Sequence, residues 1–275
     1  MKFVLRLFTT VTSLLVVGAV LSAAPAASST ASVWHRPILS IGANQSSNWS
    51  GYNQGSIEQG NKLFNQVSGH WKVPTATQHK ANEAEYSSTW VGIGGGCVDA
   101  QCQVTDGTLI QAGTEQDVDT SGKASYSAWY ELIPAPSIQI TKLKVSAGDK
   151  MSVDITENPA NSNVWTITVK NLTSGKKFKL TTPYSSTHLT AEWIVETPVV
   201  IDGGGNVTIG PLPDLSRVQI SKTMTNAAGA NIQASEEIQL VDPNTNQVLA
   251  TPSDPNPANS AFNDCTYATS CKAPK

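Results

Sequence analysis

From residue 46 onward, apolar and polar side chains alternate in short runs, each closed by Gly, Asn, Asp or Pro. A period of two is the signature of a strand with one buried face, whereas a helix repeats at three to four residues. Roughly fourteen such runs stand out. The earlier ones are 47–53 (SNWSGYN), 64–73 (FNQVSGHWKV), 86–93 (YSSTWVGI), 107–114 (GTLIQAGT), 124–133 (ASYSAWYELI), 138–145 (IQITKLKV) and 150–157 (KMSVDITE). The later ones are 164–171, 176–182, 190–196, 206–210, 217–222, 237–242 and 260–267. Turn signals such as NLTSGKK and VDPNTNQ separate them, and helical periodicity is almost absent. One antiparallel sheet of that size would leave too much apolar surface uncovered. The pattern therefore predicts an all-β fold, an antiparallel, jelly-roll-like β-sandwich of two packed sheets. No repeat and no second domain is visible.

Within this pattern the segment TAEWIVE, 190–196, is unusual. Read as a strand, it puts Glu192, Ile194 and Glu196 on one face and Ala191, Trp193 and Val195 on the other. A carboxylate placed among large apolar groups is costly to desolvate, and its pKa moves, which suits an acid/base catalyst. The plainer reading is a half-exposed strand whose acids face water.

The N-terminus reads as a targeting segment. Lys2 and Arg6 precede an apolar run ending in LLVVGAVL, and SAAPAAS follows. The run is too short for a stable membrane span. Residues 1–26 are expected to be a signal peptide, 27–45 a short propeptide or linker, 46–268 the sandwich, and 269–275 a C-terminal tail. Loss of 1–26 leaves 16 basic against 21 acidic residues, moving the net charge from −3 to −5. Charged residues make up only 14% of the chain, with no basic stripe for nucleic acid and no polybasic helix for membranes. In a secreted chain four cysteines favour disulfides over a metal site, and proximity in sequence favours Cys97–Cys102 and Cys265–Cys271.

Several chemistries fit poorly. The chain has no G-x-S-x-G elbow and no H-E-x-x-H pair. His35, His70, His79 and His188 lie apart, none in an evident Ser/Asp setting. The glycine run at 92–96 closes in a cysteine loop rather than a helix, so it is no nucleotide cradle. Paired carboxylates on a sandwich could serve a carbohydrate-binding or glycan-cleaving protein, but the acids here are spaced differently from the two- and three-residue offsets of sandwich glycanases. A different pair is more suggestive. Gln111 is a neutral amide inside a strongly apolar run, sharing a face with Leu109 and Gly113. A carboxylate to handle the proton and an amide to bind an oxyanion make a two-part hydrolytic device. A satisfied or edge-exposed glutamine is the plainer reading.

Six motifs in order then resemble the glutamic peptidase (eqolisin) family of secreted acid endopeptidases. SSNWSGY (46–52) resembles its SSNWAG, VSGHWKVP (67–74) its VxGxFxVP, and STWVGIGG (88–95) its SAWVGIDG. TLIQAGT (108–114) resembles the segment with the catalytic glutamine, SYSAWYELIP (125–134) its SYDAWYEWYP, and TAEWIVE the segment with the catalytic glutamate. The resemblance covers about residues 46–268. It implies a sandwich of two seven-stranded sheets, in agreement with the strand count. It also implies catalytic roles for Gln111 and Glu196, supporting or substrate-binding roles for Trp90, Glu131 and Glu192, and no cofactor or metal. The implied protein is a secreted, monomeric endopeptidase acting on proteins or peptides, without nucleic acid or membrane partners. One departure is Gly94, which stands where the family motif has aspartate.

Overall fold

The computed structural model describes residues 32–201 and 204–275. The expected signal peptide, and the first residues of the expected propeptide or linker, lie outside the described residues.

Two antiparallel sheets face each other. The first runs in the order Glu237–Val241, Trp49–Gly55, Thr190–Glu196, Ser88–Gly94, Leu109–Val118, Ala124–Leu132 and Ile138–Gln139. The second runs Lys177–Pro183, Val164–Asn171, Lys150–Glu157, Gln66–Lys72, Val218–Thr225, Ala261–Thr266 and Val248–Pro252. Glu237–Val241 joins them along one edge. Its first residues pair with Tyr52 and Gly51, and its last pair with Ala250 and Val248. This is the two-sheet sandwich that the alternation predicts.

The core between the sheets comes from alternate positions. Val91, Ile93, Ile110, Ala112, Ala191, Trp193 and Val195 of the first sheet meet Val67, Trp71, Met151, Val153, Ile155, Ile167 and Phe262 of the second. Lys150–Glu157 alternates buried and half-buried residues, as expected of a strand with one face in the core. Lys177–Pro183 sits at the open edge, where Lys177 and Lys179 discourage pairing with another chain. Both disulfides form as expected, Cys97–Cys102 and Cys265–Cys271.

Some runs differ from the sequence reading. The run at 138–145 is a strand only over Ile138–Gln139. Beyond it, Ile140, Leu143 and Val145 enter the core from a turn, with Leu143 N–H donating to the Ile140 carbonyl. Their mixed spacing serves a loop folded over the core, not a pleated ladder. Val248–Pro252 and Val199–Ile201 are strands that the alternation did not reveal. The half-exposed reading of 190–196 is overturned, since all seven residues are buried. A second layer covers the far side of this strand. It includes a small cluster of Ile38, Trp49, Trp90, Leu109, Trp129 and Ile194.

Residues 32–46, largely the expected propeptide or linker, form three short strands, Ser32–Trp34, Ser40–Gly42 and Gln45–Ser46. The first adds to Val199–Ile201, with Trp34 opposite Val199.

Candidate active site

The register of five neighbouring strands sorts their outward side chains into rows on the face of the first sheet that points away from the second. One row is Trp49, Glu196, Ser88, Glu115 and Ser127. The next is Gly51, Ile194, Trp90, Gly113 and Trp129. The third is Asn53, Glu192, Gly92, Gln111 and Glu131. Period-two geometry thus places every residue of the predicted set on one face. Gly113 makes room for Trp90, because a Cβ there would lie 2.5 Å from the tryptophan Cβ.

Glu196 is fully buried and its two oxygens are engaged differently. Oε2 accepts from Trp90 Nε1 at 2.8 Å and meets His35 Nδ1 at 2.8 Å. Oε1 accepts from the Arg36 N–H at 3.3 Å. His35 lies flat on Trp129, with ring centroids 3.7 Å apart and planes 7° from parallel. Its Nε2 faces Glu115 Oε1 at 3.5 Å. Burial works against an imidazolium here, but Glu196, then Glu115 and Glu131, outweigh it and raise the His35 pKa to about 10. Ser88 Oγ is also near, 3.5 Å from His35 Nδ1. Glu196 and Ser88 both approach Nδ1 while Glu115 stands at Nε2, and the Ser88 hydroxyl reaches the imidazole and Glu196 Oε2 only at 3.5 Å, the limit of a hydrogen bond.

Gln111 is fully buried, and its Nε2 donates to Glu131 Oε2 at 2.7 Å. That bond fixes the amide's orientation and leaves its second N–H unused by Glu131; Gln111 Oε1 has no protein partner. Burial, reinforced by the charge of Glu196 and offset by His35 and Gln111, pushes Glu131 up to about 7. Glu131 therefore senses both His35 and Glu196. Glu192 stands in Gln111's own row but is roofed over. A Cβ on Gly96 would lie 2.8 Å from its Oε1 and 1.7 Å from Asn53 Oδ1. Burial drives its pKa well above the ordinary carboxylate value. Under that roof Glu192 is fully buried, and neither of its carboxyl oxygens has a hydrogen-bond partner in the protein. Among the described residues no three His, Cys, Asp or Glu side chains gather as metal ligands.

The sequence pattern that defines the peptidase A4 family runs through residues 47–264. The chain belongs to that family. Aspergillopepsin-2 of Aspergillus niger is 26% identical over 175 residues, which is 61% of this chain and 54% of that protein. Scytalidopepsin B of Scytalidium lignicola is 30% identical over 165 residues, 58% of this chain and 55% of that protein. The chain spans about half the length of these curated relatives. Scytalido-glutamic peptidase, solved with a transition state analog inhibitor, shares the fold at a TM-score of 0.60 and 20% identity, over 80% of this chain and 98% of that one. SCP-B, an eqolisin solved with the tripeptide Ala-Ile-His, superposes at a TM-score of 0.56 with 20% identity and the same coverage.

Two local features of this peptidase A4 family member bear on the site. Gly94 has φ +90°, and a Cβ there would fall 2.1 Å from the Thr108 carbonyl oxygen. An aspartate at this point would need the 107–109 backbone to move, so glycine is fixed by the local path of the chain. The second is the company Glu196 keeps. His35, Arg36, Glu115 and Trp129 all contribute to the site, and sequence reasoning did not select them. Glu115 was reachable by extending the 111, 113 alternation by one step. His35 was not, because nothing in its Trp-His-Arg-Pro setting signals a buried ion pair.

Proposed function

We infer that this peptidase A4 family protein is a secreted endopeptidase, active in acid, that hydrolyses peptide bonds of proteins through Glu196, Gln111 and an activated water. The observation that carries the reading is the pairing of two buried, pre-oriented groups on one sheet face. Glu196 is held by the Trp90 indole, and the Gln111 amide is held by Glu131. The like-folded proteins solved with a transition state analog and with a tripeptide support a peptide substrate. The disulfides and the leader-like first 26 residues support secretion.

On this reading the Glu196 carboxylate takes a proton from water as the oxygen attacks the peptide carbonyl carbon. The carbonyl oxygen gains negative charge and is met by the Gln111 Nε2–H. Glu196 then returns the proton to the leaving nitrogen as the C–N bond breaks. Trp90 keeps the carboxylate in one orientation, and Glu131 keeps the amide donor pointing one way. No metal or cofactor takes part. The test is digestion of casein across pH 2–7, in the presence of an aspartic-protease inhibitor, by the purified protein and by its Glu196→Gln and Gln111→Ala variants. Folded variants without proteolysis support the reading; near-native activity in either overturns it.

A further inference from the structure

We propose that the outward face of the second sheet binds a linear acidic polysaccharide, whose sugar carboxylates or sulfates are met by a face of lysines on the side of the sandwich opposite Glu196 and Gln111. The inference concerns a surface that the peptidase reading does not use.

The lysines come from five neighbouring strands. Trp71, Met151 and Val153 point into the core, so the pleat turns Lys72 and Lys150 outward. Lys150 lies directly opposite Lys72, and Lys170 directly opposite Lys177. Lys179 stands two residues beyond Lys177 on the same face. The sixth, Lys222, belongs to a bulge between Ser221 and Met224 and has φ +52°, a left-handed conformation that a lysine rarely adopts. Bulges re-aim side chains, and this one brings Lys222 beside His70. Burial, and then the charge of Lys222, hold that imidazole below its ordinary pKa. All six lysines are exposed. Neighbouring strands lie about 4.8 Å apart, so five strands spread the charge over about 19 Å. No such stripe is visible along the sequence, because each strand supplies only one or two of its members.

The arrangement lacks counter-charge. Like charges directly opposite each other on antiparallel strands repel. Among the described residues none of the six lysines is in an ion pair. Asp154 is the one carboxylate that these strands turn outward, and its oxygens already accept from Gln66 and Thr156. Protection of an open edge accounts for Lys177 and Lys179. It does not account for Lys72, Lys150 and Lys222, which sit on the three central strands. An anionic polymer supplies the missing charges.

The surface also suits the neutral parts of a sugar chain. Two shallow hollows of about 460 and 300 Å³ adjoin at Lys72 and Gln219. Both fall in the size range of small-ligand sites. Ser216, Gln219 and Ser221 line them with hydroxyl and amide groups able to bond sugar hydroxyls. Single-stranded nucleic acid is held by aromatic faces on which bases stack. The aromatic rings of these strands, Trp71, Trp165 and Phe178, pack with the core instead. Because the outward faces of the two sheets point in opposite directions, a polymer held here does not cover Glu196 or Gln111.

The test is equilibrium binding of the intact chain to labelled polygalacturonate and dextran sulfate at low salt, with uncharged dextran as control. At least one charged polymer should bind, naming carboxylate or sulfate as the anion, and dextran should not. Lys72→Gln combined with Lys150→Gln should weaken binding by about ten-fold. Lys80→Gln combined with Lys123→Gln, the same change of charge elsewhere, should leave it nearly unchanged. No binding by the parent, or an equal loss in the two double variants, overturns the proposal. Tighter binding to single-stranded DNA of matched charge overturns it as well. Removing an opposed like-charge pair should leave the free Lys72→Gln/Lys150→Gln protein melting no lower than the parent; a lower melting temperature would show that these lysines serve the fold, and would sink the inference. The Glu196→Gln chain should bind as the parent does, so this result and the outcome of the casein assay are independent.

Discussion

His35 Nδ1 lies 2.8 Å from Glu196 Oε2, although 161 residues separate the two in sequence. Both side chains are fully buried, so the pair is shielded from water and salt. Removing one member of a buried charge pair strands the other and costs about 3–5 kcal/mol. Glu196→Gln in the intact chain is expected to lower thermal stability and to abolish hydrolysis. If the site lies elsewhere, the variant keeps its activity despite the lower melting temperature.

Gln111→Ala is a different kind of loss. The side chain is neutral, and its single observed bond goes to Glu131. The folded state should survive, while the loss of one oxyanion donor should lower kcat by about 10²–10³. Single-turnover kinetics would read this. A change confined to KM would show that Gln111 only binds substrate.

Trp90→Phe separates packing from orientation. The phenyl ring keeps much of the apolar volume over Gly113 but removes the Nε1–H that meets Glu196. A hydrogen bond to a charged group contributes about 1.5–3 kcal/mol. We expect kcat to fall by roughly ten-fold or more, with a smaller proportional effect on KM. Equal activity in the two proteins would show that the carboxylate needs no indole to hold it.

Stability should rise toward acid, contrary to the usual behaviour of carboxylates. Burial raises Glu131, Glu236 and Asp264 each to about 7 in the folded state, and Asp117 to about 8 with help from Glu115. Glu192 is raised by the same cause. A group whose folded pKa exceeds its unfolded one binds its proton more tightly when folded. Its contribution is complete below the unfolded value, near 4, and is lost as pH rises through the folded value, near 7. His35, raised to about 10, loses its own contribution between about 6.5 and 10. The lowered pKa of Glu115 acts in the opposite sense. The melting temperature is expected to be higher at pH 4 than at pH 8; the reverse order would show these acids to be solvated in the folded protein.

Gly94→Asp should be destabilising. A non-glycine residue at φ +90° carries backbone strain of order 1–3 kcal/mol, before the overlap with the Thr108 carbonyl is added. Denaturant titration would measure it. A variant as stable as the parent, or more active, would show that the 107–109 backbone yields easily.

Much of this protein was legible as a string of residues. Alternation at period two set the faces of TAEWIVE, and the structure keeps Ala191, Trp193 and Val195 in the core with Glu192 and Glu196 opposite. The cysteine pairing followed from proximity, because short loops leave few alternatives. Strand periodicity is a local property, fixed by covalent geometry, and so it survives translation into three dimensions. What the sequence could not give was depth and company. Glu192 and Glu196 look alike along the chain, yet one is roofed by Gly96 and the other meets His35. The run at 138–145 alternates in part but folds as a turn, because Leu143 and Val145 were needed in the core. Which strands lie side by side, and which distant segment covers their open face, depends on packing between parts of the chain far apart in sequence. The tertiary structure alone decided that residues 32–40 lie across the site.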